Sequence, residues 1–471
     1  MAEAEHVDIL IVGAGAAGQA AVEAAVEAVR TVSAARAGNG PRAPVVGASV
    51  PGAARGGAPL SIALISGEDR LPYKRTKISK SMAQGFERNA FAVQTEEWYR
   101  EHGVELLTGK EVTRIDPYRK FVELRDRAGS AGTSVTWERL ILATGAAPRL
   151  PEAEPASLDR VHRTHDIADI EGLRSAALNA VAAAPEGEKP RAVVLGGGVL
   201  GLEVCYDLHQ LGLDVAVVDP NERLMHRELD AYAGELLVDE CRRNGVDVYP
   251  GTPNYRVRTS KEGLAVDLPD AGTALEAHVV AAALGVDPHI RLAAEAGIRT
   301  RRGILVDGAL RTSRPAVFAA GDCAEHADGL VTHLWRDAQR QGAVAGANAV
   351  ADLFGRADAE RPYVYEPFRL KCEVFATYFF SLCRPSPEKN DDYGHRRYYD
   401  GPRYVHAYLS RRGNAGGAAT AAGDDRTRHA AEDERVAGVI MVNDKERRGR
   451  YEQAVSEGWT VHEFEAAFEL R

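Results

Sequence analysis

The chain has 471 residues, more than one hydrophobic core organises, so length alone predicts roughly three domains. Hydrophobic residues make up 45% and charged residues 27%, the composition of a soluble globular protein. A formal net charge of −10 argues against a nucleic-acid partner, because phosphate binding draws on clustered Lys and Arg. No apolar run approaches the roughly 18 residues needed to span a bilayer, so no membrane association is expected. The acidic N-terminus passes almost at once into a strand-like segment, which does not fit a signal peptide. The five cysteines (Cys205, Cys241, Cys323, Cys372 and Cys383) form no CxxC pair and suit a reducing, cytoplasmic setting.

In chain order, the β-branched run 7–12 reads as a buried strand and 16–32 as an Ala-rich helix. Between them lies Gly13-Ala-Gly15-Ala-Ala-Gly18. In such a turn Gly13 allows the sharp reversal, Gly15 lets the backbone approach a pyrophosphate, and Gly18 lets helix and strand pack closely. The pyrophosphate then lies at the positive end of the helix dipole. Residues 34–59 are dense in Ala, Gly and Pro and read as a surface insertion. A second strand, 61–65, is followed by Glu68, the candidate for the adenosine ribose, with Asp69 close behind. The insertion accounts for its distance of about fifty positions from Gly18. Residues 139–143 read as another strand, and 182–190 as a break.

The pattern then repeats. Strand 192–195 leads into Gly196-Gly-Gly198-Val-Leu-Gly201 and a helix over 200–211. Strand 214–218 ends at Asp219, where spacing places the ribose carboxylate. That carboxylate accepts from a 2′-hydroxyl and repels a 2′-phosphate, which favours NADH over NADPH, although Arg223 and His226 nearby are able to bind a phosphate. A helix follows over 230–244. One GxGxxG is a weak signal; two, each between strand and helix and each with an acidic partner, are strong. Alternating strands and helices imply parallel sheets covered on both faces. Beyond about residue 363 the pattern changes. Segments 370–382, 396–409 and 435–442 read as successive antiparallel strands, 413–434 as a second insertion, and 444–456 as a last helix, together a separate α+β domain.

Two further segments, Leu142-Ala-Thr-Gly-Ala-Ala-Pro-Arg149 and Ala319-Ala-Gly-Asp-Cys-Ala324, resemble the flavoprotein pyridine-nucleotide reductases with two dinucleotide-binding domains. Within them the chain looks like the rubredoxin, ferredoxin and nitrite-reductase-type NADH reductase branch. The carriers of that likeness are 71–80 (LPYKRTKISK), similar to a PY.RPPLSK segment, and Leu334-Trp335 with Ala338, Gln341-Gly342 and Asn348. Thr76-Lys77 departs from that branch's Pro-Pro pair, which adds charge near the flavin entrance.

The resemblance implies FAD in the first cradle and NADH in the second, with two Rossmann-like dinucleotide-binding domains, the NAD domain inserted in the FAD domain. It places the N-terminal FAD-binding segment at 1–153, the NAD(H) domain at 154–288, the returning FAD-binding segment at 289–357 and a C-terminal interface domain at 358–471. Gly145 would close the N-terminal FAD segment, and Asp322 would bind the ribityl chain. Lys80 would lie near flavin N5 and stabilise the negative charge of the reduced ring, while Glu203 would orient Lys80 and the nicotinamide. Read without the resemblance, Lys80 is a solvated lysine at a helix start and Glu203 a first-turn acid favoured by the helix dipole. Arg75 fits either a contact to cofactor phosphate or a surface salt bridge. Trp335 fits either a wall of the flavin or nicotinamide site or the core.

The implied activity is transfer of hydride from NADH to flavin and of electrons onward to a small carrier protein of rubredoxin or ferredoxin type, in a monomer or homodimer. Two alternatives stand beside it: a diaphorase or oxidase reducing oxygen, quinone or a small molecule, and an NADH-sensing flavoprotein scaffold. In the disulfide-reducing relatives the reactive thiols precede the Ala-Thr-Gly turn, and here no cysteine precedes Cys205, so a dithiol mechanism is excluded.

Overall fold

The computed structural model describes residues 5–36, 60–126, 132–153, 160–261, 263–366, 368–383, 391–410 and 434–470. The chain forms two compact units. One comprises the residues up to Ile78, Phe86–Arg149 and Gly285–Tyr365; the other comprises Ser79–Gly85, Leu150–Leu284 and the residues from Glu366 onward.

The first unit is built on strand Glu5–Val12, whose Ile9, Leu10 and Ile11 are fully buried, as a strand covered on both faces requires. It pairs in parallel with Ile62–Ile65 on one side and Ser134–Leu142 on the other. Val104–Leu107 and Val317–Ala319 extend the parallel sheet at either side. The strands Lys110–Asp116 and Phe121–Asp126 add an antiparallel extension that the sequence pattern does not announce. Helix Ala16–Arg36 packs on helix Trp335–Leu353 backbone to backbone. A Cβ on Gly342 or Gly346 would stand 2.0 or 2.2 Å from the carbonyl oxygens of Ala17 and Ala21, so only glycine permits that approach. The helix expected over 16–32 thus runs on to Arg36, into the start of the expected insertion. The rest of 34–59, and nearly all of 413–434, lies outside the described residues.

In the second unit five parallel strands run in the order Asp247–Tyr249, Asp214–Val218, Arg191–Leu195, Val279–Ala282 and Val161–Arg163. The antiparallel strands Arg256–Thr259, Leu264–Leu268 and Thr273–Ala277 share a core with that sheet through Val193, Val218, Val257, Val266 and Val280. Two Rossmann-like sheets therefore exist, one in each unit.

The C-terminal part of this unit is α+β, but its strands are finer than expected. The single strands expected over 370–382 and 396–409 are hairpins, Arg369–Val374 with Thr377–Leu382 and Gly394–Asp400 with Arg403–Ser410. The first turns at Phe375, which adopts φ 51° without any Gly or Pro to announce it; the second turns at Gly401-Pro402, an ordinary turn signal inside the segment expected as one strand. With Arg435–Val442 they form one five-stranded sheet. The helix expected over 444–456 is Arg448–Glu457, and a further helix, Val461–Phe468, follows it. Gly458 ends the first at φ 61°, and a Thr460–Glu463 capping box starts the second. Tyr451, Phe464 and Phe468 from these helices bury fully with Phe380, Val439 and Met441 of the sheet, and Tyr378 belongs to the same core. Among the described residues, no helix is long and apolar enough to cross a membrane.

Candidate functional site

The two glycine turns have the same geometry. Gly13 has φ +106° and Gly196 φ +107°, and a Cβ on either would stand 2.1 or 2.4 Å from the carbonyl oxygen of Ala143 or Ala283. Gly18 and Gly201 are as constrained, with a Cβ falling 1.7 Å from the Gly13 oxygen and 1.9 Å from the Gly196 oxygen. The outer glycines are thus demanded by the protein's own packing. The middle ones are not: around a Cβ on Gly15 or Gly198 nothing lies within 4 Å. Each middle glycine leaves open space at the start of a helix, Ala16–Arg36 or Val199–Gln210, and the first amides of a helix have no acceptor within it, which suits an anion.

The predicted carboxylates are both engaged locally. Glu68 accepts from Tyr73 Oη at 2.9 Å and from Arg75 Nη2 at 2.7 Å. Arg75 thus forms an ion pair with Glu68. Asp219 is only 4% exposed and braces its own turn: Oδ2 accepts from the Gly197 amide at 2.6 Å, and Oδ1 from the amide and side chain of Asn221 at 2.7 and 2.8 Å. Oδ1 already accepts two hydrogen bonds, and Oδ2 keeps a lone pair for a further donor. The sequence showed the acid but not its second task.

In the first unit, the carbonyl of Gly145 (φ 67°) accepts from the His289 amide at 2.9 Å. Gly321 (φ +80°) donates to the buried Gln341 side chain at 2.8 Å, which fixes the turn that carries Asp322. Burial raises the Asp322 carboxyl above its ordinary range, while the positive charges of His333 and Arg75 pull it down. Trp335 is half-buried at the first turn of its helix and is not part of the core. Glu68, Arg75, Gly145, Asp322 and Trp335 thus share a unit with the first cradle.

Lys80 and Glu203 share the other unit with the second cradle. Glu203 lies in the first turns of helix Val199–Gln210; its Oε1 is 3.2 Å from Lys80 Nζ, and its Oε2 accepts from the Ser79 hydroxyl at 2.6 Å. One turn further on, Asp207 Oδ2 accepts from the Ala83 amide at 3.0 Å. With 51% of its side chain exposed, Lys80 gains at most about 1 kcal/mol from its ion pair. A hydrogen bond to an ionised carboxylate contributes about 1.5–3 kcal/mol. Residues 79–83 are therefore fixed by the bonds of Ser79 and Ala83, and Lys80 is carried into place by them. Neither Ser79 nor Asp207 was singled out from sequence, although the four-residue step from Glu203 to Asp207 puts both on one helix face.

All five cysteines are free, and burial raises every thiol pKa, that of Cys383 to about 11 and those of Cys241 and Cys372 to about 12.

Comparison with known proteins gives a consistent picture. A family model described as pyridine nucleotide-disulphide oxidoreductase matches residues 7–342. The ferredoxin–NAD(+) reductase component of the anthranilate 1,2-dioxygenase system of Burkholderia cepacia is 33% identical over 317 residues, covering 65% of this chain and 73% of the relative. The assimilatory nitrate reductase electron transfer subunit of Bacillus subtilis (strain 168) is 30% identical over 279 residues, 59% of this chain, and the match spans 34% of that relative's length. Among solved structures, NADH:rubredoxin oxidoreductase from Clostridium acetobutylicum superposes with a TM-score of 0.68 over 97% of this chain and 96% of that one, at 22% identity, a likeness of fold.

Proposed function

The chain belongs to the pyridine nucleotide-disulphide oxidoreductase family, and on that premise we propose that it is an FAD-dependent NADH oxidoreductase that passes electrons to a small carrier protein of rubredoxin or ferredoxin type. The observation that carries this reading is the open space beside Gly15 and Gly198. Two helix N-termini each lack a side chain for which the protein itself has room, which suits two dinucleotide pyrophosphates. The similarity to a ferredoxin–NAD(+) reductase component supports the carrier, and the absence of any cysteine before Cys205 removes the dithiol route. The proposal assigns FAD binding to segments 1–153 and 289–357 and the NAD(H) domain to 154–288.

Bound FAD supplies a two-electron acceptor that returns electrons singly. The protein supplies position and charge. Gly13, Gly15 and Gly18 with the amides of helix Ala16–Arg36 hold the flavin nucleotide's pyrophosphate, and Glu68 takes its ribose hydroxyls. Gly145 closes the N-terminal FAD segment, and Asp322 hydrogen-bonds the ribityl chain. Gly196, Gly198 and Gly201 hold NADH, with Asp219 at its ribose. Lys80 offsets the negative charge left by hydride transfer, and Glu203 keeps that ammonium oriented.

The test is direct. The purified, FAD-loaded protein should bleach under NADH without oxygen, and the reduced form should be reoxidised faster by purified rubredoxin or ferredoxin than by oxygen or quinone. A colourless protein that refuses FAD would end the proposal, and rapid reoxidation by quinone or oxygen alone would make it a diaphorase or oxidase.

A second expectation concerns the nicotinamide dinucleotide. Asp219→Asn keeps an acceptor for the Gly197 amide and removes the charge that repels a 2′-phosphate. The NADPH to NADH ratio of kcat/KM should rise about tenfold. An unmoved ratio would leave Asp219 as a brace of the turn alone.

A further inference from the structure

Residues Ser79–Gly85 are grouped with the second unit although the chain on both sides of them belongs to the first. Their conformation suits a short strap. Ser79–Ser81 makes one 3-10 turn, Met82 is fully buried, and Gly85 closes the segment at φ +73°, its amide donating to the Ser81 carbonyl at 2.9 Å. A Cβ on Gly85 would meet the Arg174 guanidinium at 3.3 Å.

The strap meets helix Val199–Gln210 through two carboxylates one turn apart. Glu203 takes Ser79 and Lys80; Asp207 takes the Ala83 amide. The four-residue step on the helix matches the step from Ser79 to Ala83, so the pair sets the register of one against the other. Asp207 is an expensive choice for a mere packing position. It is 2% exposed, its neighbour one turn back is another carboxylate, and burial followed by that neighbour's charge pushes its carboxyl up to about 6 against the opposing pull of the backbone amides. Lys80, half-exposed, has little of its own to hold it.

We propose that Asp207 is a positioning residue for hydride transfer, holding the 79–85 strap by the Ala83 amide so that Lys80 stands beside Glu203. The inference rests on the proposed NADH–flavin reaction and adds to it a residue that touches neither substrate nor flavin.

A double-mutant cycle on the FAD-loaded protein tests it, read as the rate of anaerobic flavin reduction by NADH in Asp207→Ala, Lys80→Met, the double variant and Asp207→Asn. Asp207→Ala should slow reduction roughly tenfold, the worth of one hydrogen bond to a charged acceptor. In the Lys80→Met background the same change should add nothing, because a residue acting only through Lys80 has no effect once Lys80 is gone. Asp207→Asn, which retains an acceptor for the Ala83 amide, should recover most of the rate. Amide exchange of the 79–85 segment should quicken in Asp207→Ala and return to the wild-type value in Asp207→Asn. Slowing by the same factor in both backgrounds, or a wild-type rate in Asp207→Ala, would overturn the assignment while the bleaching of wild-type flavin by NADH still stood. Wild-type flavin that NADH does not bleach would instead remove the reaction itself, and this role with it.

Discussion

Gly198→Val is expected to weaken NADH binding by about two orders of magnitude while leaving bound flavin and thermal stability near wild type. The magnitude follows from the bonds displaced. A side chain at this position keeps the pyrophosphate off the amides at the start of helix Val199–Gln210, and losing two charge-assisted hydrogen bonds of about 1.5 kcal/mol each corresponds to that factor. The selectivity follows from the geometry. Gly198 is extended at φ −79° and ψ −178°, where a β-branched residue is at ease, and no atom lies within 4 Å of the added Cβ. Gly15→Val is the counterpart in the other cradle and should yield protein depleted of flavin that still binds NADH. Gly201→Ala makes the contrast, since its Cβ falls 1.9 Å from the Gly196 carbonyl oxygen and should cost folded protein instead of affinity. Titration calorimetry with NADH, flavin content and Tm separate the three outcomes. Undiminished NADH affinity in Gly198→Val would show that the second cradle does not hold a pyrophosphate.

The difference between middle and outer glycines also marks what the sequence makes visible. Gly18 and Gly201 are constrained within their own turns, and Gly13 and Gly196 take positive φ there, so both cradles could be read from spacing together with strand and helix patterns. Side-chain partnerships across the chain left no such trace. Asp207 finds the Ala83 amide 124 positions away, and Asp230 finds Tyr404 and His406 at separations of 174 and 176. Lys80 and Glu203 entered only through resemblance to a family, and nothing in their local sequence reports a pair. Asp219 shows a partial case: its position at a strand end is the signal for a ribose acid, yet the bond to the Gly197 amide depends on how the turn closes. The hairpin at Phe375 escaped because a non-glycine residue takes positive φ there, held by the pairing of Thr377–Leu382 with Arg369–Val374 and Arg435–Val442.

The partnership of Asp230 carries the other large expected effect, this time on stability and its pH dependence. Asp230 caps helix Ala231–Arg243 by accepting from the Ala233 amide at 2.9 Å. It also accepts from Tyr404 Oη and His406 Nδ1, each at 2.5 Å, and His406 Nε2 lies 2.9 Å from Nδ1 of the half-buried His395. Tyr404 and His406 are each 1% exposed, so neither finds water if the carboxylate is removed. Asp230→Ala should therefore cost about 4 kcal/mol, the sum of two stranded buried donors and a lost helix cap. Asp230→Asn, which keeps one acceptor, should cost less.

The signs of the two titrations agree. Burial raises the Asp230 carboxyl, but the hydrogen bonds from His406, Tyr404 and Ala233 outweigh it and hold the net value below 3.8, so its contribution is complete above that pH and fades as the pH falls through the depressed folded value. Burial lowers His406 below 6.5 despite the attraction of Asp230, with Arg397 and His395 pushing the same way as burial. The unfolded chain thus takes up the histidine proton first, and stability begins to fall as the pH drops below 6.5. His406→Asn keeps a donor near Nδ1 and no longer titrates, so its Tm should change less between pH 7 and pH 5 than that of wild type. His162, His289 and His326, whose pKa values burial also lowers, leave a residual slope in both proteins. An equal slope in wild type and His406→Asn would show that the proton responsible is taken up elsewhere.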